Sequence, residues 1–314
     1  MNQQKRLLRA WMFVPGDKQR MLDKALRLHV DAIMMDIEDG VAPASKDSAR
    51  RQIADALTAV ATRLASDPAL RTPARYVRVN AVGSAAMRAD LATVVRPGLE
   101  GLVLPKVDGP EQVAIAEAIL EQREDAEGMP RGAVRLLVAI ESPTGLFNAR
   151  ATASASRRIV GLMFGAEDFC REMSLPVRRE GEAMDLIFAR SYIATAAAAA
   201  HVQAVDGVWT DLTDSEGLRR HALHARRLGM SGISIIHPGQ IDEANAAFTP
   251  APEDLKYATE VLAAFDAARA RGDGAIAFRG QLLDYPIVDR ARQTLALAKS
   301  LGVAEAAVGG RHGR

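Results

Sequence analysis

The feature that most constrains the fold is a short apolar run that recurs eight times between residues 10 and 248. Such runs, bounded by Gly, Pro or charged residues, are typical of buried β-strands. Segments with helical character separate them, and strands that alternate with helices indicate a parallel sheet. Eight such units over roughly 250 residues predict an α/β fold, the (β/α)8 TIM barrel. The predicted strands cover residues 11–14, 32–35, 75–79, 102–104, 136–140, 159–164, 205–209 and 232–236.

The residues that follow the eighth unit have a different pattern. Two helical segments, 252–270 and 285–301, are separated by the glycine-rich stretch 271–274. Glycine-rich segments form flexible joints between ordered elements. We therefore expect two domains, a barrel catalytic domain over 1–249 and a C-terminal helical extension over 250–314.

The composition of the 314-residue chain, with 48% hydrophobic and 25% charged residues, is that of an ordinary soluble protein. A formal net charge of +1 and 4% aromatic residues give no basis for expecting a nucleic-acid or membrane partner. One cysteine excludes an internal disulfide and a cysteine-based zinc site. The start of the chain is polar, so we expect no signal peptide or membrane span, and a cytoplasmic location.

Two predicted strands end in carboxylates, Glu141 after 136–140 and Asp168 after 159–164. In a parallel barrel, polar groups just past the C-terminal strand ends are the first to meet a ligand. Mg²⁺ is held by one or two carboxylates together with water and substrate oxygens, which this pair would match. In the alternative interpretation, Glu141 caps the helix that Pro143 begins and Asp168 is an ordinary loop acid.

Further charged residues gather at the same predicted mouth. Arg78 lies inside a strand, where a buried guanidinium needs an anionic partner, either a substrate oxygen or a resident acid. His237 precedes Pro238 and is more typical of a hydrogen-bonded positioning group than of a base or metal ligand. The other charged residues at strand ends are Asp36, Glu38, Asp39 and Lys106.

Several short stretches form a pattern that is specific when they are taken together. Over residues 9–301 the chain resembles the citrate lyase beta subunit and the malyl-CoA and citramalyl-CoA lyases, members of the citrate lyase and 2-keto-acid aldolase superfamily. The stretches are FVPG at 13–16, DIEDGV at 36–41, Lys46 with Ala49 and Arg50, RVN at 78–80, LPK at 104–106, IESP at 140–143, FGAED at 164–168, IHPGQ at 236–240 and LDYP at 283–286.

The resemblance implies a cofactor and a binding site. It implies Mg²⁺, with Mn²⁺ as a possible substitute, bound by Glu141 and Asp168. It also implies that Arg78 binds the keto-acid portion of the substrate. Together these expectations predict a metal-dependent site at the barrel mouth.

The resemblance further implies that coenzyme A is part of the substrate and that its thioester binds near Phe13, Lys18 and Lys24. It implies a homotrimer or hexamer in which the C-terminal lid brings Asp284 over a neighbouring subunit's site. The alternative for Asp284 is a purely structural role, as the cap of the helix that begins near Pro286.

The implied activity is that of a Mg²⁺-dependent carbon–carbon lyase, which cleaves or forms a small β-hydroxyacyl-CoA such as malyl-, citramalyl- or citryl-CoA. The thioester enolate must be protonated, a task for Asp284 or an acid of the 36–39 cluster, with Glu38 as the candidate. Alternative functions are an acyl-CoA thioesterase, a malate-synthase-like condensing enzyme, and a subunit of a citrate lyase complex.

Overall fold

The computed structural model describes residues 7–176, 184–270 and 276–303. The chain divides into two compact units, one over Leu8–Asn245 and another that contains Ala246 and the residues after it. None of the helices in the described residues is long and apolar enough to cross a membrane. The two units are considered in turn.

The first unit is built on eight parallel strands that close into a barrel, each paired with the next and the eighth with the first. The predicted (β/α)8 barrel is confirmed. Closure leaves the sheet without an exposed edge, because every strand is paired on both sides. The strands are β1 (Ala10–Pro15), β2 (Ala32–Asp36), β3 (Ala74–Arg78), β4 (Gly101–Leu104), β5 (Arg135–Ile140), β6 (Ile159–Phe164), β7 (Gln203–Asp206) and β8 (Gly232–Ile235).

Helices follow the strands in the order that the sequence predicted. Those of the first unit are α1 (Gln19–Ala25), α2 (Lys46–Ser66), α3 (Ala85–Val94), α4 (Pro110–Ala126), α5 (Pro143–Ala153), α6 (Ala166–Glu172), α7 (Ile187–Ala199) and α8 (Ser215–Arg227), while α9 (Ile241–Ala247) ends just past its boundary. Helix α6 was not predicted from the sequence, because it is only seven residues long. The helical pattern before β7 predicts a helix start near residue 182, which lies outside the described residues.

Large side chains from alternate strand positions fill the barrel interior. The cluster includes Trp11 of β1 and Tyr76 of β3, whose rings meet edge to face with centroids 4.8 Å apart. The Trp11 indole N–H donates to the Leu8 carbonyl at 3.0 Å, so its polar atom is satisfied inside the core. The barrel interior is therefore a packed core.

Three element ends differ from the prediction. Strand β1 includes Pro15, because the last residue of a strand needs no N–H and Gly16 continues the ladder by donating to the Asp36 carbonyl at 2.9 Å. Strand β7 ends at Asp206, where the prediction ran to residue 209. The residue type of Asp17 predicts a cap for α1, but Lys18 occupies the N-cap position and its ammonium pairs with the Asp17 carboxylate at 3.0 Å.

The second unit contains the helices α10 (Pro252–Ala270) and α11 (Tyr285–Ser300), with the short strands β9 (Ile276–Phe278) and β10 (Gln281–Leu283) between them. Both predicted helices are confirmed, and the antiparallel hairpin was not predicted. Arg279 and Gly280, both with positive φ, form its two-residue turn. The predicted flexible joint at 271–274 lies outside the described residues.

Candidate functional site

A cavity of about 350 Å³ lies in the first unit, beyond the C-terminal ends of the strands. Its wall includes Phe13, Arg78, Glu141 and Asp168, four of the residues singled out from the sequence. Ligand sites of such barrels lie at this end, where the loops after several strands meet. The predicted mouth therefore contains a real cavity that these residues share.

Arg78 is held by a resident acid. Its Nε and Nη2 atoms donate to the two carboxylate oxygens of Asp36, both at 2.7 Å, and its Nη1 atom lies 3.2 Å from Glu38. Its guanidinium carbon also lies 4.9 Å from the centre of the Phe13 ring. Of the two partners left open by the sequence, the structure contains the resident acid, and Arg78 still lines the cavity.

The backbone fixes the position of Asp36 as firmly as Arg78 does. Its carboxylate accepts hydrogen bonds from the backbone N–H groups of Glu38 at 2.9 Å and Gly40 at 2.8 Å. A Cβ atom at Gly40 would lie 2.2 Å from the Asp36 carboxylate, so a side chain there would displace it. Burial alone lowers the pKa of Arg78, but the hydrogen bonds and charge of Asp36 outweigh burial and raise it above its ordinary value.

Lys106 links the two groups of acids at the mouth. Its ammonium contacts Glu38 at 2.5 Å and Asp39 at 2.7 Å, and its backbone N–H donates to Glu141 at 3.2 Å. Lys106 has a φ of 52°, an uncommon conformation for a residue with a side chain. Glu38 is buried between Lys106 and Arg78 and does not line the cavity.

Glu141 follows β5 and does not cap α5. That role belongs to Ser142, whose hydroxyl accepts from the Gly145 N–H at 2.9 Å. The structural alternative for Glu141 is therefore wrong, and its carboxylate lines the cavity instead. A Cβ atom on Gly165 would lie 2.3 Å from the Cγ atom of Glu141, so the absence of a side chain at Gly165 leaves room for this carboxylate.

Asp168 lies in the first turn of α6, so it is not a loop acid as the structural alternative proposed. It pairs with Arg171 at 2.6 Å and faces the same cavity as Glu141. Burial, followed by the negative charges of Glu38 and Asp168, raises the pKa of Glu141 to about 7. A cation bound by these carboxylates would relieve the repulsion between them.

A divalent cation of the magnesium type fits this pair. Mg²⁺ needs only one or two protein carboxylates, because water and substrate oxygens complete its shell. In the described part of the chain, no group of three or more His, Cys, Asp or Glu side chains is arranged to hold a metal. The donor set of Glu141 and Asp168 thus suits an oxygen-binding ion and not a fully protein-coordinated zinc.

The remaining predicted residues lie in different surroundings. Lys18 and Lys24 are exposed at the start and end of α1, and neither lines the cavity. His237 accepts a hydrogen bond from the Gly239 N–H at 3.0 Å, which agrees with the predicted positioning role. Asp284, in the second unit, caps α11 by accepting from the Ile287 N–H at 3.3 Å. The capping role is thus present, and the predicted lid role stays a prediction.

A buried network that the sequence analysis missed supports the mouth from outside the cavity. Asp90 accepts from Arg50 Nε at 2.7 Å and from the backbone and side-chain nitrogens of Asn80 at 2.8 and 2.7 Å. The Asn80 side-chain oxygen in turn accepts from Lys46. Lys46, Arg50 and Asn80 belong to the recognised pattern, and this network gives them a structural role. The signal that could have revealed it is an aspartate on the apolar face of α3.

The Arg78–Asp36 pair leads to a prediction about arginine and lysine. Arg78→Ala should lower the free energy of unfolding by roughly 3 kcal/mol, because it leaves a buried carboxylate unpaired. We expect Arg78→Lys to lose nearly as much, since one ammonium cannot bond both oxygens of Asp36 in parallel. Urea unfolding of both variants measures the loss, and catalytic turnover should fall with it.

A surface pair of the same geometry provides the control. Arg131 also donates through Nε and Nη2 to both oxygens of Asp125, at 2.9 and 2.5 Å, but this pair is exposed. Arg131→Lys should therefore leave stability almost unchanged. Wild-type stability and turnover in Arg78→Lys would show that a point charge is sufficient next to Asp36.

Comparison with known proteins identifies the family. Residues 9–238 match the HpcH/HpaI aldolase/citrate lyase family, and they include the whole barrel. The chain belongs to that family. The resemblance inferred from the sequence is confirmed, and the matched region contains Arg78, Glu141 and Asp168.

Individual members of the HpcH/HpaI aldolase/citrate lyase family match over nearly the whole chain. Citrate lyase subunit beta of Escherichia coli (strain K12) is 37% identical over 300 residues, 96% of each chain. Mitochondrial citramalyl-CoA lyase of Rattus norvegicus is 33% identical over 93% of this chain and 86% of that protein. A crystal structure of protein CitE from Mycobacterium tuberculosis in complex with magnesium, acetoacetate and coenzyme A is 31% identical, with a TM-score of 0.74 over 94% of this chain and 99% of that one. Lyase is the predicted enzyme class, and these family members confirm it.

Proposed function

We propose that this chain is a Mg²⁺-dependent carbon–carbon lyase that acts on a small β-hydroxyacyl-CoA thioester. The observation that carries the proposal is the pair of acids Glu141 and Asp168, which face one cavity at the mouth of a barrel of this family. Citramalyl-CoA lyase and the magnesium- and coenzyme-A-bound CitE protein, both similar to this chain, support the same class of substrate.

The reaction divides into steps that the residues at the mouth can serve. In the cleavage direction the hydroxyl group of the substrate loses its proton and the adjacent carbon–carbon bond breaks. The bonding electrons pass to the thioester as an enolate, whose carbon then accepts a proton. The products are a keto acid and an acyl-CoA. Magnesium, when bound, polarises the keto oxygen and stabilises negative charge on it.

The protein's own groups bind and orient the substrate in this scheme. Glu141 and Asp168 would hold the ion. Asp36 fixes the position of Arg78. Each of the three guanidinium nitrogens makes one contact with an acid, and the N–H groups that remain can bind a keto-acid oxygen. A donor of this kind contributes about 3 kcal/mol where charge develops. The apolar wall behind it, with Phe13 and Met163, would exclude water and favour cleavage over hydrolysis of the thioester.

The proton for the enolate carbon needs an acid near the thioester. Asp284 is our candidate, delivered by the C-terminal unit of a neighbouring subunit in a homotrimer or hexamer, with Glu38 as the second choice. Glu38 is less suited, because Lys106 and Arg78 already contact its carboxylate. The coenzyme A portion would extend outwards past Phe13 towards Lys18 and Lys24 of α1.

A mass-spectrometric screen tests the proposal. Purified protein with Mg²⁺ is incubated with malyl-, citramalyl-, citryl- and hydroxymethylglutaryl-CoA, each with and without excess chelator. We expect at least one ester to yield a keto acid and an acyl-CoA in equal amounts, and the chelator to abolish the reaction. The identity of the keto acid assigns the substrate within the class.

Other products would contradict the proposal in distinct ways. Free coenzyme A with an intact hydroxy acid would identify a thioesterase. In a parallel incubation of a keto acid with an acyl-CoA, consumption of both with release of free coenzyme A would identify a condensing enzyme of the malate synthase type. Turnover that appears only with an acyl carrier protein and a transferase chain would identify a citrate lyase subunit.

A further inference from the structure

A buried hydroxyl group in the barrel lies outside every interaction described so far. Ser234 is on β8, next to Trp11 of β1, and its residue surface is 1% exposed. Its hydroxyl oxygen has no hydrogen-bond partner in the part of the chain that the structure describes. Buried polar groups almost always have a partner, so an unpartnered one indicates a group that binds there. Trp11 does not supply it, because its N–H already donates to the Leu8 carbonyl.

The surroundings of this hydroxyl indicate what it would bind. Ser234 lines the same cavity as Glu141 and Asp168. The wall there also includes Val103, Ala139 and Met163, which belong to the packed interior of the barrel. Ser234 therefore adds a hydrogen-bonding group to a largely apolar inner wall, an arrangement typical of small-molecule sites, in which a few polar groups fix the ligand's orientation.

Size decides which part of the substrate can reach the inner wall. A cavity of about 350 Å³ holds a small acid, whereas coenzyme A is several times larger and must extend through the mouth. The portion that lies deepest is thus the part released as the keto acid. That portion is rich in carboxylate and carbonyl oxygens, which accept hydrogen bonds from a hydroxyl group.

We infer that Ser234 is a substrate-binding residue whose hydroxyl donates a hydrogen bond to an oxygen of the keto-acid portion, and this inference rests on the proposed function. The oxygen is either one that all 2-keto acids share or one that belongs to the substituent of a particular keto acid. In the first case Ser234 orients every substrate, and in the second it selects among them.

Binding of keto acids to Ser234→Ala tests the inference. Calorimetric titrations of wild type and variant with pyruvate and with oxaloacetate, each with saturating Mg²⁺, measure the affinities. We expect the variant to bind oxaloacetate about 10-fold more weakly, the usual effect of losing one hydrogen bond to a charged group. An equal loss for pyruvate assigns the shared oxygens, and a loss for oxaloacetate alone assigns its additional carboxylate.

Stability separates ligand binding from a structural role. The hydroxyl of Ser234 makes no hydrogen bond within the described chain, so Ser234→Ala should leave the melting temperature unchanged or slightly raised. Ser231 is the matched control, because its hydroxyl donates to the Ala204 carbonyl at 3.2 Å. Ser231→Ala should lower the melting temperature slightly and leave keto-acid affinity unchanged. The affinities for Mg²⁺ and for free coenzyme A should be the same in all three proteins.

The outcomes distinguish this inference from the proposed function. Equal keto-acid affinities in wild type and Ser234→Ala would overturn the inference alone and would mean that the hydroxyl binds only water. A clear fall in melting temperature together with weakened Mg²⁺ binding would also overturn it, because the hydroxyl would then have a structural role. If the wild-type protein bound none of pyruvate, oxaloacetate, glyoxylate and acetoacetate in the presence of Mg²⁺, the proposed function and the inference would both be wrong.

Discussion

Glu141→Gln and Asp168→Asn are each expected to weaken Mg²⁺ binding by at least about 100-fold and to remove nearly all turnover. Both side chains face the cavity, and neither fills space in the packed interior. The melting temperature of Asp168→Asn should therefore stay at the wild-type value. That of Glu141→Gln should rise, because burial and neighbouring acids disfavour the carboxylate that the substitution removes. Calorimetric Mg²⁺ titrations and thermal unfolding measure the two effects separately.

Glu167 is the matched control for this prediction. It is an exposed acid in the same turn of α6 and in the same cavity wall, one residue before Asp168. Glu167→Gln removes the same charge without removing a proposed ligand, so it should change Mg²⁺ affinity by no more than a few-fold. Full activity of the wild-type protein in excess chelator would show that the acid pair does not bind a required metal.

Asp284→Asn is expected to lower turnover by roughly 10² or more, the usual contribution of a general acid or base. Asparagine is as good an N-cap as aspartate, so the hydrogen bond to the Ile287 N–H and the stability of α11 should persist. The substitution therefore tests proton transfer without removing the cap. Binding of keto acid with Mg²⁺ should be unaffected, which a calorimetric titration of the variant measures.

Mixing two inactive variants tests whether Asp284 acts on a neighbouring subunit. If it does, exchange of subunits between Asp284→Asn and Glu141→Gln should restore part of the activity, because some sites would then combine an intact acid pair with an intact Asp284. Asp284→Ala is the control for the cap, since it removes both functions and should also lower the melting temperature. Demonstrated subunit exchange without recovered activity would exclude action between subunits.

The sequence predicted the barrel well because the evidence for each strand lies in a short local stretch. Each buried strand is a short apolar run, and eight such runs separated by helices permit few architectures. Errors occurred where the local sequence signal is weak or ambiguous. Asp17, for example, has the right residue type for a cap but pairs with Lys18 instead. The β9–β10 hairpin was missed because its strands have only three residues each and its turn is Arg279–Gly280, not the more typical Asn–Gly.

The sequence predicted several of the charged residues that meet at the barrel mouth, but not how they pair. Asp36 and Arg78 lie directly opposite each other in the β2–β3 ladder, which makes the fork between them possible. That register depends on how two strands align, and no single stretch of sequence contains it. Ser234 was missed for a related reason. A single serine in an apolar strand gives no sequence signal. Only the structure shows that its buried hydroxyl has no hydrogen-bond partner in the described residues.

Gly165 would be mistaken for a functional residue if the residues of this chain were ranked only by their sensitivity to mutation. Any side chain there collides with Glu141. In a saturation-mutagenesis map it would therefore score like a metal ligand, although it has no side chain that could bind an ion. The same collision makes position 165 useful to an engineer, because alanine or serine there should tilt the Glu141 carboxylate and adjust ion preference without changing any charged residue.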